Sequence, residues 1–239
     1  NGAMRSAWRC LVTQRSTLAA TLAAGACASA ACEPLREPRV VGKVDVASTR
    51  WIKLQTVSYE DATGRARKWD MASRTTKKRD ASADGVAILA LLRRRDAPEA
   101  VEMLLVHQYR PPVEAITVEL PAGLIDPGET AEAAALRELK EETGYIGSVA
   151  HCSGLLTMSP GLCDETIKLC VVEVDLDMPA NQRPQQSLDE SESIKVTRCP
   201  VKSLLPTLQA MEQQGLLPFA GLYTLAVGLS FGLTDHRLD

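Results

Sequence analysis

The chain has 239 residues, 45% of them hydrophobic and 24% charged, with a formal net charge of −3. This is ordinary globular composition, which excludes a fibrous, low-complexity or wholly disordered chain. The acidic balance offers no general attraction to a nucleic-acid backbone, so no nucleic-acid partner is expected, and any anionic ligand must be held by a local cation cluster or by metal.

The first 32 residues contain Arg5, Arg9 and Arg15 and no acidic residue, with an alanine-rich stretch from Leu18 to Ala31. A basic, acid-free leader has the composition of a mitochondrial transit peptide. A secretory signal cleaved after Ala28-Ser29-Ala30 and an untargeted tail are the alternatives; a tail would leave the protein cytoplasmic. The leader's three positive charges leave −6 for the remainder. Beyond it no apolar run approaches the length of a membrane span, so no membrane partner is expected.

Trp51 to Tyr59 alternates loosely between apolar and polar, Asp61-Ala62-Thr63-Gly64 supplies a turn, and Arg65 to Met71 continues the pattern. This predicts a β-hairpin within an N-terminal β region over 46–82. Val86 to Leu92 and Val101 to Tyr109 are apolar runs of strand length. The first also fits a buried helix, but the adjacent Asp84-Gly85 favours a strand. Glu129 to Thr143 reads as a helix that Gly144 is placed to end. Ile167 to Val174 is rich in β-branched residues and reads as a strand. Gln182 to Glu192 is polar, contains Pro184 and reads as a loop before a short strand over Ile194 to Thr197. Val201 to Gln214 and Ala220 to Leu229 read as closing helices. Strands on both sides of one central helix predict an α/β fold, a sandwich with a mixed sheet, as the main domain over 83–235. Four cysteines fall there (Cys152, Cys163, Cys170 and Cys199), with no CxxC spacing and no histidine at ligand spacing; they are expected to be reduced core residues.

The central helix carries Glu138, Glu141 and Glu142. Glu138 and Glu142 are four apart and share a face, and Glu141 adjoins it. Like charges so spaced repel by a few tenths of a kcal/mol per pair. Such a helix either exposes its carboxylates to water or binds a cation, and the carboxylate spacing alone leaves both open. Magnesium suits the second case, because it prefers oxygen ligands and bridges carboxylates to substrate phosphates.

The wider spacing narrows this. Gly123-x5-Glu129-x7-Arg137-Glu138-Leu139-x-Glu141-Glu142-x-Gly144-Tyr145 resembles the Nudix box at each of its fixed positions. The resemblance implies a Nudix α/β/α sandwich and a magnesium-dependent pyrophosphohydrolase, with manganese as a possible substitute. It implies Glu138 and Glu142 as the principal metal ligands, Glu141 close by, and the backbone carbonyl of Ala122 completing the site. Glu129 and Arg137 would brace the loop and helix. A glutamate just before the following strand orients the attacking water in relatives; Glu192 matches best and Glu190 is the reserve. Arg137, Glu141 and Glu192 are thus the expected catalytic residues.

The box fixes the chemistry and leaves the substrate to residues outside it. Gln108-Tyr109-Arg110-Pro111-Pro112, Glu119 to Asp126, Arg74-Thr75-Thr76, Ala83-Asp84-Gly85 and Pro160 resemble the ADP-sugar (ADP-ribose) pyrophosphatase branch. Trp51 and Trp69 both fall in the predicted hairpin region. Read alone they are core or interface tryptophans or stacking groups for a base. The resemblance implies that they sandwich adenine, one from each chain of a swapped homodimer. Arg74 and Arg110 would contact phosphates or the distal sugar, with Leu124 and Ser159 also at the substrate. Ser159 stands where animal relatives carry an aspartate, so the choice among ADP-ribose, ADP-glucose and ADP-mannose stays open. UDP-sugar hydrolysis is the alternative specificity. A non-catalytic nucleotide sensor is disfavoured because such domains lose box glutamates, and all are present here.

Overall fold

In the computed structural model, which describes residues 36–77 and 83–233, side-chain alternation in the central strands divides the apolar residues between two cores. The leader predicted at 1–32 lies outside the described residues. Strand β4 (Gly85–Arg93) sends Val86, Ile88, Ala90 and Leu92 to one face of its sheet and Leu89 and Leu91 to the other. A strand buried on both faces has no polar side, which is why its sequence is almost wholly apolar. Strand β5 (Glu102–Arg110) divides in the same way, with Leu104 on the first face and Met103 and Leu105 on the second.

The remaining strands of this sheet are β6 (Ala115–Glu119), β7 (Ala122–Leu124), β8 (Ser148–Cys152), β9 (Leu156–Thr157), β10 (Thr166–Asp175), β11 (Ile194–Pro200) and β12 (Leu217–Pro218). Their path is β12-β6-β5-β4-β10-β8, with β11 paired to β5, β7 to β4 and β9 to β10. The β4–β10 and β6–β12 pairs are parallel and the others antiparallel, so the sheet is mixed as predicted. Helix α1 (Ala131–Thr143) packs Ala131, Ala134, Ala135 and Leu139 on one face. Helices α2 (Leu204–Gln213) and α3 (Ala220–Leu233) cover the other with Leu204, Leu208, Leu222 and Ala226. The result is the expected α/β/α sandwich. Among the described residues no helix is long and apolar enough to cross a membrane.

A second antiparallel sheet precedes this one: β1 (Arg39–Ser48), β2 (Ile52–Glu60) and β3 (Ala66–Arg74). The hairpin β2–β3 matches the sequence reading. Strand β1 does not appear in it, and the sheet starts ahead of residue 46. Every residue of β1 is exposed, and two register shifts interrupt its pairing. With no buried face, its sequence carries no clean alternation. The small sheet docks on the loop after β9. Ala72 N–H donates to Leu162 O at 2.8 Å, the Trp69 indole N–H donates to Gly161 O at 3.1 Å, and Arg74 pairs with Glu165. Lys77 reaches the main domain at Asp84, whose carboxylate also accepts the Thr166 N–H at 2.8 Å.

One expectation is overturned. Cys152 and Cys170, expected to be reduced, form a disulfide. They are register partners on the antiparallel strands β8 and β10, with Cα atoms 4.1 Å apart. Cross-strand register, not sequence spacing, brings the two sulfurs together, and spacing rules cannot see it. Cys163 and Cys199 are free.

Candidate active site and metal centre

Strand β7, the loop after it and helix α1 build the site. Thr130 caps the helix by accepting the Ala133 N–H at 3.2 Å, and Gly144 ends it in the left-handed conformation, φ 76°. Arg137 projects back from the helix onto the loop. Its guanidinium donates to both oxygens of Glu129, at 3.0 and 2.9 Å, and to Leu124 O at 3.0 Å. It also donates to Glu138 at 2.7 Å and Glu141 at 3.1 Å. Glu129 in turn accepts the Asp126 N–H at 3.0 Å. One arginine thus fixes the loop and aligns two helix carboxylates, the bracing expected of Glu129 and Arg137.

Gly123 passes so close to α1 that a Cβ there would stand 2.0 Å from Glu138 Cδ. Glu142 is buried, and one of its oxygens accepts the Ala122 N–H at 3.0 Å. It makes no salt bridge among the described residues. Burial pushes its carboxyl up to about 8, opposed by the Ala122 N–H and reinforced by repulsion from Glu138 and Glu192. Burial also raises Glu138, although Arg137 opposes the shift. A buried carboxylate and a half-buried one that repel each other, with a third nearby, suit a hard divalent cation. Among the described residues no three acidic, histidine or cysteine side chains form a closed ligand cluster. A cation held here would therefore complete its shell with backbone carbonyl, water and substrate oxygens, the habit of magnesium at phosphate sites.

These carboxylates line a cavity of about 640 Å³. Arg74 and Arg110 line it as well, with Glu119, Glu192 and the apolar Leu124, Met158 and Phe219. Arg110 is held as a fork by Glu119, at 2.9 and 3.0 Å. Burial opposes ionisation of Glu119, but the hydrogen bonds from Arg110 and Thr117 outweigh it and hold the carboxyl below its ordinary range. Cations facing paired carboxylates across one cavity can hold a phosphoanhydride bridged by metal.

The sequence model of the NUDIX domain matches residues 82–219. The chain belongs to the Nudix family. It is similar to the ADP-ribose pyrophosphatase of Saccharomyces cerevisiae, 39% identical over 192 residues that cover 80% of this chain and 82% of that one. It is also similar to the ADP-sugar pyrophosphatase of Mus musculus, 39% identical over 185 residues, 77% of this chain and 84% of that one. A crystal structure of an ADP compounds hydrolase shares the fold, with TM-score 0.56 at 20% identity, covering 86% of this chain and all of the other. As a Nudix hydrolase the protein acts on pyrophosphate bonds, and such enzymes in general depend on a divalent metal.

The Nudix cavity brings together Ala122, Leu124, Arg137, Glu138, Glu142, Arg74, Arg110 and Glu192. Glu141 does not line it and is tied to Arg137. Glu190 is exposed and does not line it, whereas Glu192 does, with its Oε2 accepting the Asp189 N–H at 3.1 Å. Three predicted substrate residues stand apart. Ser159 is exposed and off the cavity wall, although Met158 beside it is on that wall. Trp69 lines a separate apolar cleft with Val40, Val57, Tyr59 and Pro160. Trp51 is 57% exposed at the far end of the hairpin, with Arg50 stacked on its ring. Sequence reasoning gave no role to Glu119, Glu165 or Phe219. The register of β5 with β6 sets Val106 opposite Glu119 and Arg110 opposite Ala115, so Arg110 and Glu119 share a sheet face and meet by reaching along the strands, which no sequence spacing signals.

Proposed function

We propose that the protein hydrolyses the pyrophosphate of ADP-ribose, or a related ADP-sugar, to AMP and a sugar phosphate with Mg2+, and that Mn2+ can substitute. The observation that carries this reading is that the half-buried Glu138 and the buried Glu142 line one cavity with Arg74 and Arg110. The relatives named ADP-ribose and ADP-sugar pyrophosphatase support the substrate class. Glu138 and Glu142 would hold the cation with the Ala122 carbonyl, and Glu141, tied to Arg137, would assist. When bound, the ion offsets the charge of the pyrophosphate and lowers the pKa of a water. Glu192 takes the proton from the attacking water. Arg110, fixed by Glu119, and Arg74, fixed by Glu165, bind phosphate oxygens, and Leu124 flanks the substrate.

Trp51 and Trp69 stack on the adenine, and they do so from two chains. Trp69 pairs with Val57, six residues after Trp51, which stands just ahead of β2; at the rise of an extended strand this sets the two backbones about 20 Å apart within one chain. No base spans that distance, so a sandwich takes one tryptophan from each subunit of a homodimer. The ten-residue β1, exposed along its length with Val40, Val41, Val44 and Val46 outward, offers the surface for that pairing.

The test is a panel of ADP-ribose, ADP-glucose, ADP-mannose and UDP-glucose with Mg2+, with products identified by chromatography. ADP-sugars should be cleaved to AMP at the highest kcat/KM. A preference for UDP-glucose overturns the adenine reading.

A further inference from the structure

The loop that carries Glu192 is fastened to the end of the helix that carries Glu142. A helix leaves its last carbonyls without partners inside the helix. Here Gly144 N–H takes Lys140 O at 2.8 Å, and Ser187 N–H takes Glu141 O at 2.8 Å. The Glu142 carbonyl accepts from the Gln186 side chain, whose Nε2 lies 2.6 Å away. The same Nε2 lies 3.0 Å from Ile194 O, at the first residue of β11. Both N–H bonds of one amide are therefore used, one on the helix and one on the strand. Two facing carbonyls also fix the amide's orientation, since its own oxygen could not point at them. Glu192 lies two residues before Ile194. Gly144 completes the seam: a Cβ there would stand 2.3 Å from Gln185 N, so a side chain would push the loop away.

We propose that Gln186 is a positioning residue that sets the distance between Glu192 and the carboxylate of Glu142. It is not among the residues that line the cavity, and its amide donates to two backbone carbonyls. It acts by joining the backbone of the helix to the backbone that leads out of the base loop. This rests on Glu192 taking the water's proton, as proposed above.

The test compares wild type, Gln186→Ala, Gln186→Glu, Glu192→Gln and the double variant Gln186→Ala/Glu192→Gln, by ADP-ribose hydrolysis at saturating Mg2+ and by thermal unfolding. Gln186 is exposed, so the thermal midpoint should move by only a few degrees. Gln186→Ala should lower kcat about 10- to 100-fold, the usual cost of a misplaced catalytic group, with KM within about twofold. Gln186→Glu keeps the shape but has no N–H to donate, and should lose at least as much. In the Glu192→Gln background, Gln186→Ala should cost less than about twofold, because a group acting only through Glu192 has nothing left to position. Wild-type kcat in either single Gln186 variant, or losses that multiply in the double variant, overturns the proposal alone. Full turnover in Glu192→Gln overturns the reading of Glu192, and this proposal with it.

Discussion

Gly123 lies against the carboxylate of Glu138, with room for a hydrogen and not for a methyl group. The carboxylate cannot simply slide aside, because Arg137 holds it at 2.7 Å. Gly123→Ala should therefore displace Glu138 from the cation site while leaving the two cores untouched. We expect kcat/KM to fall about 100-fold, the scale of loss when a catalytic group is displaced by an ångström. The Mg2+ concentration for half-maximal rate should rise, and the thermal midpoint should hold within a few degrees. Wild-type activity across a magnesium titration would remove Glu138 from the metal site.

Glu142 differs from Glu138 in having no salt bridge among the described residues. Its buried carboxylate accepts the Ala122 N–H. Glu142→Gln keeps the shape and an oxygen to accept that N–H, and removes a charge that burial disfavours. The metal-free variant should be at least as heat-stable as the metal-free wild type, while turnover drops by orders of magnitude. Mg2+ should raise the wild-type melting temperature by mass action and leave the variant's unchanged. Differential scanning fluorimetry with and without Mg2+ reads both effects. Retained turnover sinks the metal assignment.

The parts of this fold that sequence discloses are those whose cause is local. Gly144 marks the end of α1 because caps act within a turn, and β4 shows itself because both of its faces are buried; the start, read at Glu129, lies two residues later, after the Thr130 cap. The box carboxylates are visible as a set, yet their spacing alone fits a wet helix face equally well. What makes them a site is non-local: Gly123 against Glu138, Gln185 against Gly144, and the cavity wall contributed by Arg110 from β5. Strand β1 is hidden for a related reason, since an exposed edge imposes no pattern. The Cys152–Cys170 pair and the Glu119–Arg110 fork depend on strand register, which no spacing rule supplies. Gln186 sits in a polar stretch that reads as a plain loop, and its partners are two carbonyls, which carry no residue identity at all.

The two tryptophans provide a test of assembly as well as of binding. Trp51→Ala and Trp69→Ala should each raise KM for ADP-ribose about tenfold, within the worth of stacking one base. Neither should change the metal requirement. If each site takes Trp51 from one chain and Trp69 from the other, the single variants complement. A mixed dimer has one site with both rings and one with neither. Co-refolding the two variants should thus restore wild-type KM in part of the population. A mixture that behaves as the plain sum of its components would put both rings in one chain's site, or in none.

His107 supplies a prediction about acid stability that is separate from the metal. It is buried on β5, with Nε2 2.8 Å from Thr197 Oγ1. Burial holds its pKa below the ordinary value, and the positive charge of Lys195 on the neighbouring strand adds to the effect. The folded protein therefore keeps the ring neutral at pH values where the unfolded chain has begun to take a proton, near about 6.5. Fewer protons on the native state means that stability rises with pH through this window and is lost as pH falls through it. The thermal midpoint should fall between about pH 7 and pH 5. His107→Gln can still reach Thr197 but carries no titrating group, so its midpoint should fall less over the same range. The three histidines of the chain are His107, His151 and His236. Burial makes protonation of His107 costly, so an unaltered slope in the variant would show that the acid sensitivity arises elsewhere.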